Sequence, residues 1–386
     1  MLSYGKQSIN QNDIDSVIEV LKSDFLTQGP QVPIFEKTVS KYCNSKFAVA
    51  VNSATSALHL ACIALGLKKN DILWTSTNSF VASANCGLYC GALVDFIDID
   101  PLTYNLCCNA LETKLKKAKQ ENKLPKILVA VHYAGQSCDM KKIYSLSQEY
   151  GFKIIEDASH AIGGRYLNEP IGNCNYSDIA VFSFHPVKII TTGEGGMALT
   201  NNKVLHEKMY RLRTHGITNK VEYFESRPDN EIWNYQQIEL GFNYRMTDIQ
   251  AALGISQMKS LDSFVSNRHT LKDRYNKILK DLPLILPYQS KSSYSSLHLY
   301  PVQIEKNYKK KSHLQIYNEL KNRGIGVNIH YIPIHKHPYY QKMGFTNRNF
   351  PNAENYYDRT ITLPLFSSMS FEQQDTVIEA LKKVLT

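Results

Sequence analysis

Short apolar runs rich in β-branched residues recur along the chain at 47–51, 72–75, 93–97, 127–131, 153–156, 180–183 and 197–200, most of them separated by stretches with apolar positions at helical spacing. Strands alternating with helices predict an open α/β sheet, with loops at the strand ends available for ligands. A long helical pattern runs from 247 through 279. Beyond it the pattern predicts a smaller α+β unit: a strand at 297–302, a helix at 311–323, a strand at 327–329 and a helix at 371–384, with 283–296 as the seam. The expected division is an N-terminal arm at 1–12, a large domain at 13–258 and a small C-terminal domain at 259–386. No internal repeat or low-complexity segment interrupts it.

Candidate chemistry sits where the strands end. The run at 153–156 stops abruptly at Asp157, followed by Ala158, Ser159 and His160. After the run at 180–183 come His185, Pro186, Val187 and Lys188, and then a glycine-dense turn with Gly193, Gly195 and Gly196. An amine and a strand-end carboxylate are what an aldehyde-bearing pyridinium cofactor requires: the amine forms a Schiff base, and the carboxylate keeps the ring nitrogen protonated. That points to pyridoxal phosphate. After the strand at 47–51, Asn52, Ser53, Ala54, Thr55 and Ser56 open a helix whose unpaired N–H groups and small hydroxyls suit a phosphate dianion, or else simply cap the helix. Phe80 enters another helix, where it serves either as an aromatic lid over a flat heterocycle or as a core residue.

These segments resemble the DegT/DnrJ/EryC1/StrS family of sugar aminotransferases, within fold type I of pyridoxal-phosphate enzymes. The similarity runs over nearly the whole chain, through Asp98, Ile99, Asp100, Tyr104, Asn105, Val131, His132, Gly135, His215, Gly216, Ile217 and the stretch 241–252, besides the residues above. The resemblance implies a large domain with a mixed, mostly parallel seven-stranded sheet and a smaller α+β domain. It implies that Lys188 binds the cofactor covalently and that Asp157 pairs with its ring nitrogen. It also assigns Thr55, Ser56 and Ser183 to the phosphate and Phe80 and His160 to the neighbourhood of the ring. Asn243 resembles the residue that reaches a neighbouring subunit's phosphate, which implies a homodimer with shared active sites.

The stretch 324–340 is similar to the corresponding segment of the 4-aminotransferases of pseudaminic acid biosynthesis. By that likeness His330, Tyr331 and His335 contact the sugar. The implied reaction moves an amino group from L-glutamate to C4 of a UDP-linked 2-acetamido-2,6-dideoxy-4-keto-hexose, giving UDP-4-amino-4,6-dideoxy-N-acetyl-altrosamine. The alternatives are a 3- or 4-aminotransferase for another nucleotide-linked keto sugar, or a non-catalytic protein that binds the cofactor. Dehydrating members of the family carry histidine at the lysine position, so Lys188 argues against dehydration. His330, His335 and His337 lie among prolines without acidic partners, and no metal site is expected.

Composition narrows the picture slightly. With 43% hydrophobic and 20% charged residues the chain is ordinary for a globular protein. Its net charge of +9 is spread out, and the densest lysine run, 114–126, alternates with other residues as a solvated helix and linker do. Nucleic acid is therefore not an expected partner, although the excess charge would attract a nucleotide diphosphate. No apolar run long enough to span a membrane and no secretory leader is read from the sequence, which places the protein in the cytoplasm. The eight cysteines fall between Cys43 and Cys174 without Cys-x-x-Cys spacing, as reduced, mostly structural thiols do.

Overall fold

The computed structural model describes residues 1–225, 230–346 and 348–385. Its central sheet has seven strands: β1 Phe47–Val51, β2 Ile72–Ser76, β3 Leu93–Ile97, β4 Ile127–Val131, β5 Lys153–Asp157, β6 Ile179–Ser183 and β7 Gly196–Thr200. Their spatial order is β1-β7-β6-β5-β4-β2-β3. β7 runs antiparallel to both neighbours and the other pairings are parallel. Each strand coincides with an apolar run in the sequence, because helices cover both faces and leave β4, β6 and β7 wholly buried. The two-residue period is visible in β1, where Ala48 and Ala50 join one core and Val49 and Val51 the other.

The helices that matter to the site are α1 Gln11–Leu21, α2 Gln31–Cys43, α3 Ala54–Ala64, α4 Ala82–Tyr89 and α5 Cys108–Gln120. At the edge strand β1, the Ala50 N–H donates to Glu36 of α2 at 2.8 Å, and Arg213 donates to the Ala50 carbonyl at 2.7 Å while pairing with the same carboxylate. On the opposite edge, the Phe96 N–H of β3 donates to Asp95 at 2.8 Å. Lys114 of α5 donates to the Phe96 carbonyl and pairs with Asp95, both at 2.7 Å.

The predicted helical stretch at 247–279 is two helices, Asp248–Met258 and Leu261–Leu279. Thr247 and Gln250 form a reciprocal cap at the start of the first. In the C-terminal part, strand Tyr300–Ile304 lies between Leu284–Ile285 and Thr360–Leu363, with helices His313–Asn322 and Phe371–Leu385. The expected strand at 297–302 thus begins later, at Tyr300. Residues 296 and 298 are taken up by the loop after β4, where their N–H groups donate to the carbonyls of Gly135 and Ala134. The expected strand at 327–329 is displaced to Ile325–Gly326, which pairs with Leu2–Ser3 and so draws the N-terminal residues onto the C-terminal part. Among the described residues no helix is long and apolar enough to cross a membrane.

Candidate active site

A cavity of about 880 Å³ opens at the C-terminal ends of β5 and β6, where parallel strands leave their loops free. Thr55, Ser56, Phe80, Asp157, His160, Ser183, Lys188, His330 and Tyr331 all line it.

Asp157 ends β5 and is 5% exposed. Its two carboxylate oxygens have separate donors. Ser83, in the first turn of α4, donates to Oδ2 at 2.6 Å, and Ser159 donates to Oδ1 from its hydroxyl at 2.6 Å and from its backbone at 3.2 Å. Ser79 lies 2.7 Å from the Ser83 hydroxyl and extends the network into the α4 entrance. Such a carboxylate is fixed in direction as well as position.

Lys188 sits in the loop after β6, closed by its own N–H donating to His185 O at 2.9 Å. Thr191 and Thr192 bond back to the Phe184 carbonyl, and the chain leaves through Gly193, whose φ of +81° suits a residue without a side chain. Burial lowers the Lys188 ammonium to about 8, and the Asp157 charge opposes that fall. The Lys188 amine thus lines the same cavity as Asp157 and lies within its electrostatic reach.

The anion end is built by α3. Ser53 caps it, accepting from the Ser56 N–H at 3.1 Å, and Ser56 Oγ in turn donates to Asn52 at 2.7 Å. The helix start therefore opens onto the cavity beside Ser183. Gly196 at the start of β7 makes this approach feasible: a Cβ there would come within 2.4 Å of the Ser53–Ala54 backbone. Anion seat, directed carboxylate and amine occupy one cavity, so the residues present fit a phosphorylated pyridine aldehyde.

Buried, neutral imidazoles also line the cavity. His160 Nδ1 accepts from the Ala134 N–H at 3.3 Å, which puts the ring proton on Nε2, donated to Tyr331 Oη at 3.0 Å. Burial first, then Lys188 and His330, hold His160 well below the usual imidazole range. His330, bonded to Thr362 at 2.9 Å, is pushed down to about 3 by burial and Lys188. Tyr4 packs edge-on against it at 5.1 Å. Phe80 is 59% exposed at the rim, tilted 6.3 Å from Tyr331, so it is not a core residue.

One expected residue lies elsewhere. His335 is not in the cavity wall: its ring bonds Thr77 at 2.7 Å and Glu354 at 3.0 Å, and with both nitrogens engaged it ties the segment after Tyr331 to the loop that follows β2. Asn243, expected to serve a neighbouring subunit's site, is exposed outside this cavity and bridged to Thr214. Conversely, Ser83, Tyr4 and His298 belong to the site without having been singled out. His298 lies 4.4 Å from His160, ring to ring. The serine spacing Ser79-x-x-x-Ser83, one helical turn, was the readable signal for the first; Tyr4 and His298 arrive through tertiary folding alone. Among the described residues no group of three His, Cys, Asp or Glu is placed to hold a metal ion.

Residues 7–382 match the DegT/DnrJ/EryC1/StrS aminotransferase family. The chain is 36% identical to the UDP-4-amino-4,6-dideoxy-N-acetyl-beta-L-altrosamine transaminase of Campylobacter jejuni, over 100% of this chain and 98% of that protein. Among solved structures, Helicobacter pylori PseC, an aminotransferase involved in the biosynthesis of pseudoaminic acid, superposes with a TM-score of 0.90 at 31% identity, covering 100% of this chain and 99% of that one. A sugar aminotransferase of Streptococcus pneumoniae, Spr1654 in its PMP form, superposes with a TM-score of 0.89 at 27% identity, over 100% of this chain and 99% of that one.

Proposed function

Because the chain belongs to the DegT/DnrJ/EryC1/StrS aminotransferase family, we propose that it transfers the amino group of L-glutamate to C4 of a UDP-linked 2-acetamido-2,6-dideoxy-4-keto-hexose. The chain is a pyridoxal-phosphate aminotransferase acting on nucleotide sugars. The substrate reading is supported by the relatives from Campylobacter and Helicobacter, which match from end to end. The observation that carries the mechanism is Lys188 and Asp157 facing one cavity beside an anion seat.

When bound, pyridoxal phosphate supplies an aldehyde for amines to join and a cationic ring that draws electrons from the adjoining carbon. Asp157 holds a proton at the ring nitrogen, and Ser83 and Ser159 fix its aim. Lys188 anchors the resting state and, once released, takes the α-proton of glutamate and delivers a proton to C4 of the sugar from one face, setting its configuration. Thr55, Ser56 and Ser183 receive the phosphate. His160, held neutral in the cavity wall, would border the ring without competing for its charge. His330 and Tyr331 would border the sugar, and Phe80 stands at the cavity rim.

A homodimer is part of the same reading. Ile232 is 95% exposed and Trp233 74%, and Leu240 and Asn243 follow on the exposed stretch before the Thr247 cap, an apolar face that a second copy would cover. Asn243 would then complete the partner's phosphate seat. The eight free thiols fit a reducing compartment, the cytoplasm.

The experiment is to convert UDP-N-acetylglucosamine with an inverting 4,6-dehydratase, then add enzyme and glutamate. Product NMR should show an axial or equatorial amine at C4 only, with one configuration. Amination at C3, or turnover confined to a different keto sugar, rejects the substrate; full turnover by Lys188→Ala rejects the mechanism.

A further inference from the structure

We propose that His298 binds a carboxylate of the amino-acid donor, presenting its Nε2–H to that oxygen from the cavity wall. This rests on the aminotransferase reading above and adds to it the residue that meets the donor's charge.

Three buried imidazoles line the cavity. Two of them are engaged at both nitrogens: His160 between the Ala134 N–H and Tyr331 Oη, and His330 between Thr362 Oγ1 at 2.9 Å and Asn328 Nδ2 at 3.5 Å. His298 differs. It is 4% exposed, its Nδ1 is enclosed, and that nitrogen has no partner among the described residues. A buried N–H without an acceptor is costlier than a bare lone pair, so the proton belongs on Nε2. With Nδ1 enclosed, the Nε2 side is left as the part of the ring that meets the cavity, where it offers a donor.

The segment that carries this ring is pinned from behind. The His298 N–H donates to Ala134 O at 2.9 Å, and Arg268, in the helix Leu261–Leu279, donates to the carbonyls of Leu297, His298 and Leu365 at 3.2, 3.4 and 2.8 Å. The His160 ring stands 4.4 Å away, centroid to centroid. Arg268 is fully buried, bonds only carbonyls, and leaves its Nε without a partner among the described residues. A buried guanidinium without a counter-charge favours an anion nearby and disfavours a second proton on His298.

The other lining groups decide which anion. Thr55, Ser56 and Ser183 are assigned to the phosphate, and Lys188, the one lysine or arginine among the described lining residues, is taken by the cofactor. A keto sugar brings hydroxyls to its reacting carbon and keeps its diphosphate remote from it. An amino-acid donor carries a carboxylate on the very carbon that reacts. A charge-assisted N–H···O bond from a neutral imidazole suits that group, with the buried charge behind it adding to the attraction.

The test follows the two half-reactions of the holoenzyme separately, by the cofactor's absorbance. In His298→Phe, which keeps a ring but no donor, the Kd of L-glutamate, and that of 2-oxoglutarate with the pyridoxal form, should each rise roughly 10- to 150-fold, the range for losing a hydrogen bond to a charged group. His298→Leu is the second donor-free variant should His298→Phe not fold. His298→Gln, which keeps an N–H, should recover most of the loss, and the rise in KM for the keto sugar should be several-fold smaller than that in the glutamate Kd. 2-Oxoglutarate has no amine to give, so its binding is read even if the sugar assigned above is not the acceptor. Dicarboxylate Kd values within twofold of the wild type in the donor-free variants, His298→Gln no better than His298→Phe, a loss confined to the sugar's KM, or wild-type enzyme that binds neither dicarboxylate overturns the proposal.

Discussion

The lowered Lys188 ammonium makes a quantitative forecast for the cofactor-free protein. An ordinary lysine, with a value of 10.5, is neutral in about one molecule in 3000 at pH 7; at about 8 the neutral share is about one in ten, roughly 300-fold more. Only the neutral amine adds to an aldehyde. Protein stripped of cofactor should therefore capture added pyridoxal phosphate with a rate that rises tenfold per pH unit up to about pH 8 and then levels off. Dividing by the rate of a simple amine, corrected to its neutral form, removes the titration of the aldehyde itself. Capture is followed by absorbance, and borohydride trapping with peptide mapping verifies the site as Lys188. Because Asp157 raises the Lys188 value, Asp157→Asn should move the levelling point to lower pH. A rate still climbing at pH 10, or a break unmoved in Asp157→Asn, would refute the account of a desolvated amine coupled to this carboxylate.

Other consequences are checked separately. Ser83→Ala removes a 2.6 Å hydrogen bond to Asp157, of a kind worth about 1.5–3 kcal/mol, and should slow the glutamate half-reaction by roughly 10- to 150-fold with native secondary structure; a change under twofold contradicts the role given to Ser83. Gly196→Ala forces a methyl into the Ser53–Ala54 backbone and should cost about 1–3 kcal/mol in urea denaturation, with weakened cofactor retention. The folded value of Lys188 lies below the unfolded one, so the unfolded chain binds more protons between about pH 8 and 10.5. Stability contributed at this position must then rise with pH across that window, and comparison of cofactor-free native protein with Lys188→Met should show the rise only in the former.

What could be read from the chain depended on how local its physical cause was. All seven strands of the main sheet were legible because burial on both faces demands continuous apolar runs. Lys188, Asp157 and Ser183 were legible because a ligand loop follows each strand end. Segment 295–299 was not, since its apolar residues satisfy a strand pattern while its backbone bonds to Ala134 and Gly135. The Leu2–Ser3 pairing was similarly hidden, two residues being too few to register as periodicity. His335 shows the reverse error: a histidine in a ligand-bearing segment, held by Thr77 and Glu354 for packing instead. Ser83 had a local signal in its one-turn spacing from Ser79, but its role follows from its distance to Asp157, which comes with the fold.

The charged locks at the two flanks of the main sheet have a consequence for how the protein behaves in a crowded cell. At Ala50 and at Phe96 the outward N–H and carbonyl are already spoken for by a carboxylate and a cation from the same chain. A stray extended peptide finds no vacant ladder at either spot, and fibre growth from the native fold would first have to dismantle the Arg213–Glu36 or Lys114–Asp95 pair.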